Sequence, residues 1–245
     1  MPVRTAPTRT TADQASEALA WLERRGSLRV REEMPVRYGI TAARAFGVPV
    51  GTIQQLAKRL GTDHDLAAAL WATGWYEARL LAAFVDDPAR VTPAQMDRWV
   101  RDFDNWGICD TVCFKLFDRS PHAWRKVEQW ARRRDEFVKR GGFALLASLA
   151  LHDKRAADAP FLASLPLIER GADDERNFVK KGVSWALRAV GRRNRALNTA
   201  AIEVAGRLAG SADPAPRWIG KDALRELASP AVQRQLATRR KAGKG

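Results

Sequence analysis

Cysteine is nearly absent from this chain of 245 residues: Cys109 and Cys113 are the two it has, four positions apart. Thiols that close on one expected helix cannot staple distant segments, so no disulfide framework holds the fold. Free cysteines of this kind are ordinarily small core residues. Histidine is equally scarce, with His64, His122 and His152 scattered along the chain; that spacing excludes a Cys/His zinc site, and neither a metal nor any other cofactor is expected. No apolar run approaches the about 20 residues of a membrane span. Met1-Pro2-Val3-Arg4-Thr5 lacks the apolar core of a signal peptide. A cytoplasmic protein with no membrane partner is therefore expected. Gly39, Gly47 and Gly51 lack the Lys-Ser pair or strand context of a phosphate loop, which removes nucleotide binding.

What is present is positive charge, apolar bulk and helical periodicity. Lys and Arg number 42 against 28 acids, a formal charge of +14, and this balance favours nucleic acid or another anionic surface as partner. The excess is uneven. Arg176, Lys180, Lys181, Arg188, Arg192, Arg193 and Arg195 fall in a stretch with no acid, whereas Asp97 to Asp110 is rich in carboxylates. A hydrophobic content of 46% with nine Trp supplies a sizeable core; Trp71, Trp75 and Trp99 are expected in it.

Apolar residues recur at helical spacing throughout, and no alternating strand pattern interrupts them. The expected helices begin with Thr11–Arg25, Glu32–Ala45 and Gly51–Leu60, followed by a pair at Asp65–Thr73 and Tyr76–Val85. Within that pair Glu77 is expected to meet another helix or water. Asp87-Pro88 stops the second helix, and Thr92-Pro93 starts the next with Thr as N-cap and Pro in the first turn. Further helices are expected at Asn105–Phe117, from Ser120-Pro121 onward, at Asp135–Leu151, Ala157–Glu169, Glu175–Val190, Arg195–Leu208 and Pro216–Leu227. The fold class is all-α, a single array over residues 1–235. Residues 236–245 read as a basic, disordered tail.

Within this array the chain says nearly the same thing twice. Phe137-Val138-Lys139-Arg140-Gly141 recurs 41 residues later as Phe178-Val179-Lys180-Lys181-Gly182, and Leu146 is answered by Leu187. A period near 40 in a helical pattern marks stacked helix pairs of the HEAT kind, whose repeats run to about 40–47 residues. Stacking in register would line up Lys139, Arg140, Lys180 and Lys181 along one basic edge suited to a polyanion.

Three segments resemble the DNA alkylation repair proteins of the AlkD type. They are Asn105-Trp106-Gly107-Ile108-Cys109-Asp110-Thr111-Val112-Cys113, Phe137 to Ala144, and Asn177 to Arg188 with Trp185 in it; Phe46-Gly47-Val48-Pro49 matches the N-terminal turn of that family as well. The resemblance implies a HEAT-like solenoid whose concave basic face holds double-stranded DNA, acting as a monomer. It also implies, for active members, a DNA glycosylase that releases purines alkylated on N3 or N7. In such enzymes aromatic side chains and a carboxylate approach the deoxyribose and stabilise the charge that develops as the base departs. By position, the resemblance implies that Arg140 matches the family's arginine that holds phosphate beside the lesion, Trp185 the aromatic that packs against the backbone or sugar, and Lys181 and Arg188 the flanking phosphate contacts.

The family motif runs Trp, Asp, small, Val, Asp, its last Asp being the catalytic carboxylate. Aligned on Asp110-Thr111-Val112, this chain places Cys109 at the Trp and Cys113 at the final Asp. Asp110 and Trp106 then remain as substitutes in a shifted register, Asp110 as the stabilising carboxylate and Trp106, with Cys113, on the DNA-facing side. Three readings stay open: a glycosylase, a catalytically inactive family member that binds DNA or distorted DNA, and a HEAT-type protein-interaction scaffold.

Overall fold

The computed structural model describes residues 9–242; Met1 to Thr5 and the last three residues of the basic tail lie outside them. Among the described residues the regular elements are fourteen α-helices and one short 3-10 turn, with no strand. The chain divides into two compact units, the first ending at Val91 and the second starting at Thr92, where the periodicity leads to a single array up to residue 235. Asp87-Pro88 and Thr92-Pro93 flank the division.

The first unit contains α1 (Thr11–Glu23), α2 (Leu28–Tyr38), α3 (Val50–Leu60), α4 (His64–Ala72) and α5 (Tyr76–Val85). Thr10 opens α1 with a reciprocal capping box to Asp13. The second helix starts and stops earlier than the apolar pattern suggests, at Leu28–Tyr38 rather than Glu32–Ala45. The cause is local: the Ser27 hydroxyl accepts from Val30 N, and Gly39 closes the helix at φ 61°.

The loop that follows is organised from beneath. Glu77 is wholly buried on α5, and its carboxylate accepts from the backbone N–H groups of Phe46 (3.0 Å), Gly47 (2.7 Å) and Val48 (3.2 Å). Glu77 therefore neither meets another helix nor faces water: three orphan loop donors take its lone pairs. Gly47 has φ 81°, and a Cβ there would stand 2.2 Å from Ser27 O, so only glycine fits this turn. Phe46 then stacks on Trp75 at 3.9 Å.

The second unit contains α6 (Pro93–Arg101), α7 (Trp106–Lys115), the 3-10 turn Phe117–Arg119, α8 (Ala123–Ala131), α9 (Glu136–His152), α10 (Asp158–Gly171), α11 (Asn177–Gly191), α12 (Arg195–Ala209), α13 (Pro214–Leu227) and α14 (Pro230–Ala242). Thr92 caps α6 through Gln95 N, and Asn105 caps α7 through Ile108 N. The pairs α8/α9, α10/α11 and α12/α13 pack successively, and the second members α9, α11 and α13 pack on one another. This is HEAT-like packing. The 41-residue repeat is physical: Phe137 and Phe178 face each other at 5.4 Å between ring centroids, and Leu146 and Leu187 are both wholly buried. Each such leucine contributes about 1.5–3 kcal/mol of burial. Chain expected to be disordered from residue 236 is helical as far as Ala242.

Candidate nucleic-acid interface

The site grows from the first turns of α7 and α9. On α7, Asn105 caps the helix and Trp106 and Asp110 follow four residues apart, so one helical turn stacks them on the same face. On α9, Arg140 sits one turn inside the N-terminus and is bound on two sides. Its Nε and Nη2 donate to Asp110 Oδ1 (2.9 Å) and Oδ2 (2.6 Å), and its Nη1 donates to Phe178 O of α11 (2.6 Å). Gly182 leaves the lane for it, because a Cβ there would come within 3.3 Å of Arg140 Cγ. One side chain thus ties together α7, α9 and α11.

This ion pair is largely withdrawn from water, with Arg140 and Asp110 side chains 7% and 20% exposed. Burial pushes the Asp110 carboxyl above its usual range, against the opposing pull of the Arg140 guanidinium. On Arg140 burial works against the charge, and the Asp110 carboxylate more than restores it.

The pair opens on a cavity of about 410 Å³ whose other lining residues are Lys181, Trp185 and Arg188 of α11 and Trp218 and Asp222 of α13. Arg188 Nη1 donates to Glu226 Oε2 at 2.5 Å, and Asp222 Oδ2 accepts from the Ser184 hydroxyl at 2.7 Å. Lys180 Nζ stands 5.1 Å from the centroid of the exposed Trp218 ring.

Of the residues singled out from the sequence, the structure brings Asp110, Arg140, Lys181, Trp185 and Arg188 to one cavity. The supposed basic edge of four cations does not form. Lys139 turns to Asp174 (2.9 Å), Arg140 to Asp110, and Lys180 to Trp218, leaving Lys181 exposed at the cavity. Neighbouring helix positions point to different faces, so two adjacent cations cannot share one line. The Asp174 carboxyl, held by Arg176 and Lys139 against the cost of its burial, lies far below the usual carboxylate range.

Cys113 is a correction. It is wholly buried, with Sγ 3.5 Å from Gly141 O, and Cys109 is wholly buried with Sγ 3.7 Å from Phe137 O. Burial pushes the Cys113 thiol well above its ordinary value, so it is neutral and out of reach of any DNA. Three residues earlier, Trp106 and Asp110 stand at the motif's spacing of four between Trp and final Asp, with Gly107, Ile108 and Cys109 at the positions between them.

Reading the sequence missed Asp222 and Glu226. A periodic signal was available, since Ser184 to Asp222 and Arg188 to Glu226 span the same 38 residues as Arg140 to Phe178 O. Among the described residues no helix is long and apolar enough to cross a membrane, and no cluster of three or more His, Cys, Asp or Glu could hold a metal ion.

Comparison with known proteins adds an independent result. The profile of a family described as DNA alkylation repair enzyme matches residues 18–227. A solved structure described as "a new family of proteins related to the HEAT-like repeat DNA glycosylases with affinity for branched DNA structures" superposes with a TM-score of 0.71 at 21% identity, over 86% of this chain and 95% of that one. That likeness supports the fold. A designed armadillo repeat protein gives a TM-score of 0.38 at 12% identity, over 90% of this chain and 96% of that one. No curated protein matches.

Proposed function

Since this chain belongs to the DNA alkylation repair enzyme family, we propose that the cavity between α7, α9, α11 and α13 binds the backbone of duplex DNA and releases purines alkylated on N3 or N7. The observation that supports this most is the Arg140–Asp110 pair opening on the same cavity as Trp185 and Lys181. Alkylation leaves a positive charge on the base that weakens its bond to the sugar. As that bond breaks the charge passes to the deoxyribose, where a fixed carboxylate stabilises it more than it stabilised the ground state.

In this reading Asp110 is the carboxylate, and Trp106 and Trp185 are the aromatic surfaces against the sugar. Arg140 plays two parts. Its guanidinium opposes the protonation that burial favours at Asp110, and of its five N–H groups three are bound within the protein, leaving two for a phosphate oxygen. Lys181 and Arg188 hold the flanking phosphates.

A second reading, a binding protein without turnover, is favoured by one feature: both Asp110 oxygens accept from Arg140, so the negative charge is shared with a cation rather than presented alone. The structural relative's affinity for branched DNA agrees with it. A base-release assay on alkylated duplex DNA separates the two. Free 3-methyladenine or 7-methylguanine from the wild type, lost in Asp110→Asn, supports the glycosylase. Salt-sensitive binding to intact and branched duplexes without release supports the binder.

A further inference from the structure

Beyond the cavity wall a row of rings continues along the surface of the second unit. Phe114 of α7 lies 6.5 Å from Trp185 with 29° between ring planes, and it meets the His152 ring edge-on at 4.1 Å. Phe114 and Trp185 are half-buried, the His152 side chain is 41% exposed, and Lys115 Nζ stands 4.9 Å from the Phe114 centroid. Rings that stay in contact with water while touching one another in sequence form a platform on which a nucleic-acid strand can lie.

Behind the platform is a carboxylate placed at a cost. The Asp118 side chain is wholly buried; its Oδ2 is bonded to His152 Nδ1, while its Oδ1 is buried without a hydrogen-bond partner among the described residues. Burial raises the Asp118 carboxyl against the pull of His152. A carboxylate spent in this way fixes the ring: with Nδ1 taken, Nε2 is the nitrogen left for a ligand. The other Asp–His pair, His64 Nδ1 to Asp86 Oδ1 at 2.6 Å, leaves its histidine side chain 18% exposed, less than half the exposure of His152.

We propose, resting on the DNA-binding reading above, that His152 oriented by Asp118 is a proton-dependent contact to a DNA phosphate, and that the strand held at the cavity continues over Trp185 and Phe114 to reach it. The protonated ring donates through both nitrogens, Nδ1–H to Asp118 and Nε2–H to a phosphate oxygen. After loss of one proton the remaining N–H stays on the carboxylate, and Nε2 turns a lone pair to the phosphate. The same geometry then repels.

The charged groups on the elements packed around this end of α9 set the field it works in. Arg119 of the 3-10 turn is a cation acting on the Asp118 carboxylate, Lys115 of α7 stands over the Phe114 ring, and Asp153 and Lys154 follow the helix end. Just past α11, Arg193 donates to Ala150 O, and on α11 Arg188 is paired to Glu226. From α8 and α6, Arg125 is a further cation, and Lys126 is neutralised by Asp97. No second acid competes with Asp118 for the ring among the pairs named.

The test is fluorescence anisotropy with a short labelled duplex at fixed ionic strength. Wild-type affinity should fall about tenfold as the pH is raised through the range from about 6 to about 8. His152→Gln should be flat across it, bind at the weak wild-type value, and at the lower pH release about 0.9 fewer counterions. An unchanged pH response in His152→Gln, with binding still salt-sensitive and weakened by Lys181→Ala, overturns this inference and leaves the cavity reading standing. Absence of duplex binding at either pH overturns both. If His152→Gln fails to fold over the buried Asp118, the wild type decides by imidazole NMR: duplex added at about pH 6, and not at about pH 8, should move the His152 ring resonances and leave those of His64 in place, and equal behaviour of the two rings overturns the proposal.

Discussion

Arg140 and Arg188 are cations of neighbouring helices lining one cavity, yet they are bound in opposite styles. Arg140 is buried, takes one carboxylate with two parallel hydrogen bonds and adds a backbone carbonyl of the next helix. Arg188 is 28% exposed and reaches Glu226, which is as exposed as itself, and, at 3.5 Å, Asp222. Burial decides what each can do. A withdrawn charge cannot lose its partner without a large penalty, so Arg140 fixes the geometry of α7, α9 and α11. A rim charge exchanges a carboxylate for a phosphate at a smaller cost, which suits Arg188 to the phosphate contact proposed for it.

The contrast can be broken most directly by truncation. Arg140→Ala should cost about 3–5 kcal/mol of unfolding free energy, because it leaves Asp110 buried and unpaired, whereas Arg188→Ala should cost less than about 1 kcal/mol. Urea unfolding checks both; similar losses would erase the distinction.

Next in size, Asp110→Asn should lower base release about 100- to 1000-fold with the helical signal intact. Unchanged release would take the carboxylate role away from Asp110. On the rim, Lys181→Ala should weaken duplex binding by about tenfold at low salt and reduce the slope of log affinity against log salt by about 0.9. Lys139→Ala, tied to Asp174, should leave that slope where it was, and a fall in slope there would restore the basic edge.

The smallest effect belongs to Asp174. Its carboxyl is lowered in the fold, so its stabilisation is complete above the unfolded value of about 3.9 and is lost as pH falls toward the folded one. Asp174→Asn should therefore be less stable than the wild type by about 1 kcal/mol near neutrality, with the gap closing below about pH 4. A gap independent of pH would assign the loss to packing instead.

Much of the fold was legible because its signals are local. Tyr76–Val85 follows from periodicity, α6 and α7 start at the caps Thr92 and Asn105, and the 41-residue repeat names the packing partners α9 and α11 before any coordinate. The second helix was misplaced because Ser27 and Gly39 outweighed an apolar pattern that ran on past them. At the site the sequence supplied the residues and misjudged their company. Trp106, Asp110 and Cys113 all fall near one stripe of α7, and periodicity cannot tell which of them the next helix covers. Glu77 was missed for a similar reason, since its partners are backbone groups of a loop some thirty residues away in sequence.

By itself the sequence determined that this chain is helical, repetitive, basic and free of disulfide staples, for these follow from periods, caps and composition that act over one or two turns. The tertiary structure alone decided that Arg140 spends its fork on Asp110, that the thiols are sealed away, and that Asp118 stands behind His152. Those outcomes depend on which faces of neighbouring helices meet, and burial, which sets the cost of every unpaired charge, exists only after they have met.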